Sequence, residues 1–269
     1  MRAGFIGIGS MGGMLVRALL RSKALQADEV WAANRSPAKL ALLAHDFPDI
    51  HVATPKQLAA KCDLIFLCVG SPDAASVLAQ MDAELYPGQL LITTAGVIPL
   101  RALEDRVPCR VAKLIPSITQ EIGAGIALLM YGSRMTAEDR NLLDKLLSGI
   151  CRPLVIPESL ARPTIGLSSG GPALLAYLLQ SIADEAVRST PELPPEPARK
   201  LVQETAAATM RLLHEGNMTT REIIDRVAVP GGMTAHAIQI LARHVPHAWQ
   251  AIFRETADRE AKARESLVL

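Results

Sequence analysis

Residues 5–14 read FIGIGSMGGM, and Gly7, Gly9 and Gly12 within them form the spacing G-x-G-x-x-G. Ahead of the glycines, RAGFIGI has the apolar character of a short buried strand. Behind them Met11, Met14, Leu15, Ala18 and Leu19 recur at the spacing of an amphipathic helix over 11–23. Strand, glycine turn and helix in that order predict the first step of a βαβ unit, the context that gives this spacing its meaning. Gly7 permits the tight turn, Gly9 lets the main chain approach a pyrophosphate, and Gly12 lets helix and strand pack closely. The phosphates then meet the unpaired N–H groups and partial positive charge of the helix N-terminus. Ile8, Ser10 and Met11 therefore join the three glycines as expected cofactor-binding positions.

The alternation continues outward. EVWAAN reads as a second strand and SPAKLALLAHD as a helix with Ser36 at its N-cap and Pro37 at its first position. HVAT is a short strand before a helix at TPKQLAAK. CDLIFLCV is apolar throughout, as a parallel strand buried on both faces should be. QLLITTA, RVAKLIP and GIALLMYG follow as strands. TAEDRNLLDKLLSG carries a capping box, Thr136 with Asp139, and Gly149 near its end. This predicts an α/β fold: a Rossmann-type parallel sheet domain over residues 1–152. After CRPLVIP the pattern is helical, so 153–269 reads as an all-helical domain. Its last helix runs from about Thr234 to the end, with a break expected at Pro246. The helix after Pro172 is apolar around much of its circumference, through Leu174, Leu175, Leu178, Leu179, Ile182 and Ala186, and needs cover on more than one side. One small helical domain lacks the mass for that, which predicts a homodimer with interlocked helical domains.

The second strand ends at Asn34, Arg35 and Ser36, where an NAD site would usually carry an acid for the ribose hydroxyls. Asn34 can bond a ribose hydroxyl without repelling a phosphate. Arg35 can pair a 2′-phosphate and stack on adenine. The expected cofactor is NADP(H) in preference to NAD(H).

The rest of the composition excludes other classes. Net charge is +1, from 28 basic and 27 acidic side chains, and there are nine aromatics, so neither nucleic acid nor an anionic membrane is an expected partner. The N-terminal apolar run is too short for a signal peptide and no apolar run nears the ~18 residues of a membrane span, which predicts a cytoplasmic protein. Cys62, Cys68, Cys109 and Cys151 form no CxxC pair and read as buried, reduced thiols. His244 and His247 straddle Pro246, so no metal pair is expected there.

With a nucleotide fold in front and helices behind, the chain resembles the pyrroline-5-carboxylate reductases over nearly its whole length. The match rests on FIGIGSMGG, NRS, the AGV of Ala95–Val97, Pro116 in LIPSIT, LSSGGPA at 167–173, Thr205 in QETAAATM and VPGGMTAHAI at 229–238. The β-hydroxyacid dehydrogenases share the first motif but place a catalytic lysine on the interdomain helix, and GGPALLAYLLQS has none. The resemblance implies NAD(P)H-dependent reduction of a cyclic imine acid to proline and adds Val69, Gly70, Ala95 and Gly96 to the cofactor positions. It also implies that partner subunits supply loops to the active site. PGGMT is legible by itself: Gly231 and Gly232 ahead of a helix leave the N–H groups of Gly232, Met233 and Thr234 to hold a substrate carboxylate. Thr234 is the expected catalytic residue, passing a proton to the ring nitrogen directly or through water.

Departures cluster at the nicotinamide end. The family's Val-Lys-Pro is Val69-Gly70-Ser71, its Met-Pro-Asn-Thr-Pro is Ile115-Pro116-Ser117-Ile118-Thr119, its Ser-Gly-Ser-Gly-Pro is Ser168-Ser169-Gly170-Gly171-Pro172, and the serine of Ser-Pro-Gly-Gly is Val229. VPCRVAKLIPSITQ and the GGP variant are similar to the divergent late-competence ComER proteins. An NADP(H)-binding competence protein, non-catalytic or with an altered substrate, is the alternative this raises. Lys113 stands where the family has arginine, and reads either as an anion-attracting group or as a surface residue. His236 reads as a packed histidine on the dimer helix. The tail RETADREAKARES reads as a solvated, charge-alternating face.

Overall fold

The computed structural model describes residues 1–266; the final residues of the helix expected to reach the C-terminus lie outside them. Eight strands form one sheet: β1 (Ala3–Ile6), β2 (Val30–Ala33), β3 (His51–Val52), β4 (Leu64–Leu67), β5 (Leu90–Thr93), β6 (Arg110–Ile115), β7 (Ile126–Tyr131) and β8 (Arg152–Val155). Their order across the sheet is β3-β2-β1-β4-β5-β6-β7-β8. Helices α1 (Ser10–Arg21), α2 (Pro37–Asp46), α3 (Pro55–Lys61), α4 (Ser71–Met81), α5 (Leu100–Arg106) and α6 (Ala137–Ser148) link successive strands. The Thr136–Asp139 capping box is present at α6, and a second one, Thr54 with Gln57, opens α3.

Strand periodicity sends alternate side chains to opposite faces. Phe5 and Phe66 stack at 4.6 Å on the face covered by Leu15 and Leu19 of α1 and Leu143 and Leu147 of α6. Ile6, Ile65 and Leu67 point the other way, onto Leu58, Leu78, Met81 and Leu103 of α3, α4 and α5. Both faces being covered is why LIFL in β4 is apolar at every position.

The sheet is parallel except at one pairing. β7 runs antiparallel to β6, with Leu114 opposite Leu129. The ten residues between them hold a short 3-10 turn over Ile118–Ile122 instead of a crossover helix, and a short link returns the chain antiparallel.

Beyond β8 come α7 (Ala161–Leu167), α8 (Gly171–Ser189), α9 (Pro195–His214), α10 (Thr220–Val227) and α11 (Met233–Glu265). By compactness the chain divides into Met1–Pro172 together with the segment from Ala257, and Ala173–Thr256. That division differs from 1–152 and 153–269. The turn and short helix after β8 pack on the sheet unit, through Ala161 and Ile165.

Three further expectations need correction. α11 continues through Pro246. A proline removes one backbone bond, and several turns on each side keep the helix propagating. The stretch Glu158–Ser189 is, by length and composition, long and apolar enough to cross a membrane. The glycines, serines and proline at 168–172 interrupt its apolar run, and the leucines and isoleucines around them keep the average high. Finally, the C-terminal tail is not wholly solvated, because Glu260 is nearly buried and pairs with Arg162 at 3.2 Å and Arg264 at 2.9 Å.

Candidate functional site

In-register parallel strands bring their carboxyl ends to one edge. Ile6 pairs with Leu67, Leu67 with Thr93, and Thr93 with Lys113, so the loops after β1, β4 and β5 emerge side by side. The strand order reverses between β1 and β4, and open α/β sheets bind ligands in the crevice at such a point. A cavity of about 530 Å³ lies there, lined by Gly7, Gly9, Asn34, Arg35, Ser36, Val69 and Gly70 among the expected residues. Ser10 and Met11 stand at the start of α1 beside it, while Ile8 and Gly12 are buried.

The three glycines have different causes. Gly7 has φ +97°, and a Cβ there would press on the Cys68 carbonyl at 2.8 Å. At Gly12 a Cβ would run into the Gly7 carbonyl oxygen and the Cys68 side chain. The protein's own packing requires both. Gly9 has an ordinary φ of −82°, and a Cβ added there meets nothing within 4 Å. The bare backbone at Gly9 borders open space in the cavity, as a close-approaching ligand would require. Gly9 is also the N-cap of α1, with no side-chain cap and no acid in the first turn, so the positive end of the helix is left uncompensated.

Asn34 does something the sequence did not reveal. Its Oδ1 accepts the Ile8 N–H at 2.9 Å and its Nδ2 donates to the Ser36 carbonyl at 3.1 Å. It ties the glycine loop to the β2–α2 turn, and the Ile8 amide is thereby not available to a ligand. Arg35 is 91% exposed, with Asp73 at 3.7 Å across the cavity rim, a solvated pair of little strength. Lys39 also lines the cavity and was missed. The available signal was a second cation one helical turn beyond Arg35. Thr54, Ser76 and Gln80 add polar lining from α3's cap and α4.

Ala95 and Gly96 follow β5 on the same edge but lie outside that cavity's lining. Lys113 is neither a surface residue nor a free anion-attracting group: its side chain is fully buried and pairs with Glu158. All four cysteines are free thiols. Burial pushes Cys62 and Cys68 up to about 12, and Cys109 and Cys151 up to about 11, which leaves them protonated and unreactive at neutral pH.

On the helical unit, Gly231 takes φ +79° and α11 begins at Met233. The Gly232 N–H donates to the Val229 carbonyl at 2.9 Å, closing the turn. The expected carboxylate grip therefore loses Gly232 and rests on the amides of Met233 and Thr234. Met233, Thr234 and His236 are exposed in the single chain, so His236 is not packed there. With α11 unbroken, Pro246 no longer separates His244 from His247. Among the described residues no three His, Cys, Asp or Glu side chains gather to hold a metal.

Residues 158–263 match the domain family described as pyrroline-5-carboxylate reductase dimerisation, which suggests a homo-oligomer. Residues 2–96 match the family described as NADP oxidoreductase, coenzyme F420-dependent. ComE operon protein 4 of Bacillus subtilis is 30% identical over 257 residues, covering 95% of this chain and 94% of that protein. Pyrroline-5-carboxylate reductase 3 of the same bacterium is 29% identical over 254 residues, covering 94% and 93%. A solved Plasmodium falciparum pyrroline carboxylate reductase with NADP bound shares the fold, with a TM-score of 0.83 at 18% identity over 99% of this chain and 97% of that one. The chain belongs to the pyrroline-5-carboxylate reductase family, within which it is similar to ComE operon protein 4.

Proposed function

We propose that this chain is an NADPH-dependent reductase of a cyclic imine acid, of the pyrroline-5-carboxylate reductase type. The observation that carries the reading is Gly9: a glycine that no packing demands, at an uncapped helix N-terminus, facing a cavity at the point where the strand order reverses. Amides of Gly9, Ser10 and Met11 hold the pyrophosphate. Arg35 and Lys39 hold the 2′-phosphate, with Arg35's long exposed side chain free to fold over it. Asn34 fixes the loop that presents these groups. Val69 and Gly70 line the way from the phosphates toward the nicotinamide, and Ala95 and Gly96 stand beside it.

Bound NADPH supplies a hydride to the C=N carbon. The Met233 and Thr234 amides, with the positive end of α11, hold the substrate carboxylate. As the C=N double bond becomes single, its electron pair passes to nitrogen, and the Thr234 hydroxyl delivers the proton there or orients the water that does. A homodimer with interlocked helical domains belongs to the same proposal, supported by the apolar surface of α8. A cytoplasmic location fits four unpaired thiols.

The test follows NADPH oxidation with pyrroline-5-carboxylate in the parent and in Thr234→Ala. The expected loss of kcat is about 100-fold, the size of one general acid–base contribution. Parent protein that binds NADPH but never oxidises it with this substrate would remove the reductase reading and leave a nucleotide-binding regulator.

A further inference from the structure

Lys113 sits in the carboxyl half of β6, opposite the last residue of β5, with no exposed side-chain surface. Its Nζ donates to Glu158 Oε1 at 2.6 Å and to the Gly96 carbonyl oxygen at 3.0 Å. The same Glu158 oxygen accepts the Leu100 N–H at 3.0 Å, at the first residue of α5. One ion pair thus holds both ends of the segment 96–100. At its start, the Ile98 N–H reaches back to the Ala95 carbonyl at 3.3 Å, and the Ala95 N–H reaches Thr93 Oγ1 at 3.1 Å. Gly96 itself is crowded, since a Cβ there would meet Ile165 at 3.3 Å.

Stability does not explain this arrangement. Burial pushes the Lys113 ammonium below its ordinary pKa, and the Glu158 carboxylate only pulls it part of the way back. An apolar residue of similar volume would fill the space at lower cost, because desolvating an ion pair usually offsets its attraction. What the pair supplies is directional: one donor, Lys113 Nζ, and one acceptor, Glu158 Oε1, aimed at the main chain at the two ends of one loop. Asn34 plays the same part for the loop after β1, through Ile8.

We propose that Lys113 and Glu158 are positioning residues that fix the Ala95–Gly96 loop for the nicotinamide half of the cofactor, without touching the cofactor themselves. This rests on the proposed NADPH site.

The experiment titrates the parent, Lys113→Met, Lys113→Arg and Glu158→Gln with NADPH and, separately, with adenosine 2′,5′-bisphosphate, which carries the adenine half alone. Hydrogen exchange at residues 95–100 is followed in parallel. In Lys113→Met and Glu158→Gln the affinity for NADPH falls about tenfold while that for the bisphosphate stays within about twofold, and the Leu100 amide exchanges faster. Lys113→Arg, which keeps a cation with several donors, recovers most of the loss. If Lys113→Met does not fold, Glu158→Gln supplies the two ratios, and Lys113→Arg remains the recovering control. Folded variants that bind both ligands as the parent does, or lose both equally, overturn the proposal. A parent that binds neither ligand instead overturns the NADPH reading beneath it.

Discussion

The sheet unit and the helical unit solve the same burial problem with different materials. In the sheet unit, helices cover both faces of the central strands, and Phe5, Phe66, Leu15, Leu58 and Leu78 are fully enclosed. In Ala173–Thr256, four helices of similar apolar content enclose only Ala183 and Ala198. Leu175, Tyr177, Ile182 and Leu201 are each more than half exposed there. Apolar surface left open on that scale marks an interface, since each side chain of this size contributes roughly 1.5–3 kcal/mol on full burial. One region completes its core within the chain; the other leaves apolar surface open, in keeping with the homo-oligomer that its match to a dimerisation domain suggests. Within the sheet unit itself a similar contrast separates two kinds of glycine: Gly7 and Gly12, set by internal packing, and Gly9, which no internal neighbour requires.

The largest expected effect breaks the sheet unit from within. Gly12→Val forces two methyl groups against the Gly7 carbonyl and Cys68, and overpacking against main chain should cost about 3 kcal/mol, read as a lower midpoint in urea unfolding. Gly9→Val, three residues away, should lower that midpoint far less, by the modest cost of a poorer N-cap, and weaken NADPH roughly 100-fold, because its Cβ meets only open space in the cavity. Equal destabilisation by the two would erase the distinction between them.

The helical unit is challenged by the pair Leu175→Glu and Ile182→Glu. Charge on this face should shift the species seen by light scattering from oligomer to single chain, with a dissociation constant raised at least about 100-fold. The sheet unit's near-UV signal should persist. An oligomer that survives both substitutions would place the interface elsewhere.

A smaller effect is expected at Arg35. Arg35→Ala should weaken NADPH about tenfold and NADH much less, since the charge-assisted contact is made only to the 2′-phosphate and any stacking on adenine is shared by both. Lys39→Ala should do the same to a lesser degree.

The smallest effect compares one motif in both regions. Thr136→Ala, at the half-buried capping box of α6, should cost about 1 kcal/mol. Thr219→Ala at the exposed box of α10 should cost less. There the Thr219 N–H and hydroxyl hold the Glu222 carboxyl below its ordinary range. A depressed carboxylate stabilises the fold above its unfolded pKa, so the contribution is present at neutral pH and fades as pH falls through the folded value. Thermal unfolding of parent and variant at neutral and acid pH reads the difference.

These residues also mark how far the sequence could be read. Periodicities of two and 3.6 residues are local, so the βαβ alternation, the glycine turn and the Thr136 cap were legible from neighbours alone. The reversal of β7 was not legible, because the ten-residue link before it carries no periodic signal of its course. Asn34 resembled a ligand contact because its partner, the Ile8 amide, lies 26 residues away. Gly232 looked free because a turn's internal bond to Val229 depends on dihedral angles that the letters GG leave open. Lys113 and Glu158 are 45 residues apart, and only the folded sheet edge brings them together. Gly9 is the reverse case. Its role was read from spacing, and the structure adds the physical reason, an empty neighbourhood where a side chain would otherwise fit.

The central claim is that the open end of α1 grips the diphosphate of NADPH. Calorimetric titration of the folded parent chain with NADPH tests it most directly. The account predicts one binding event per chain, tighter than for NADH, and lost in Gly9→Val with the fold intact. A folded parent that gives no binding heat at any temperature tried, or a Gly9→Val variant that binds as tightly as the parent, contradicts it.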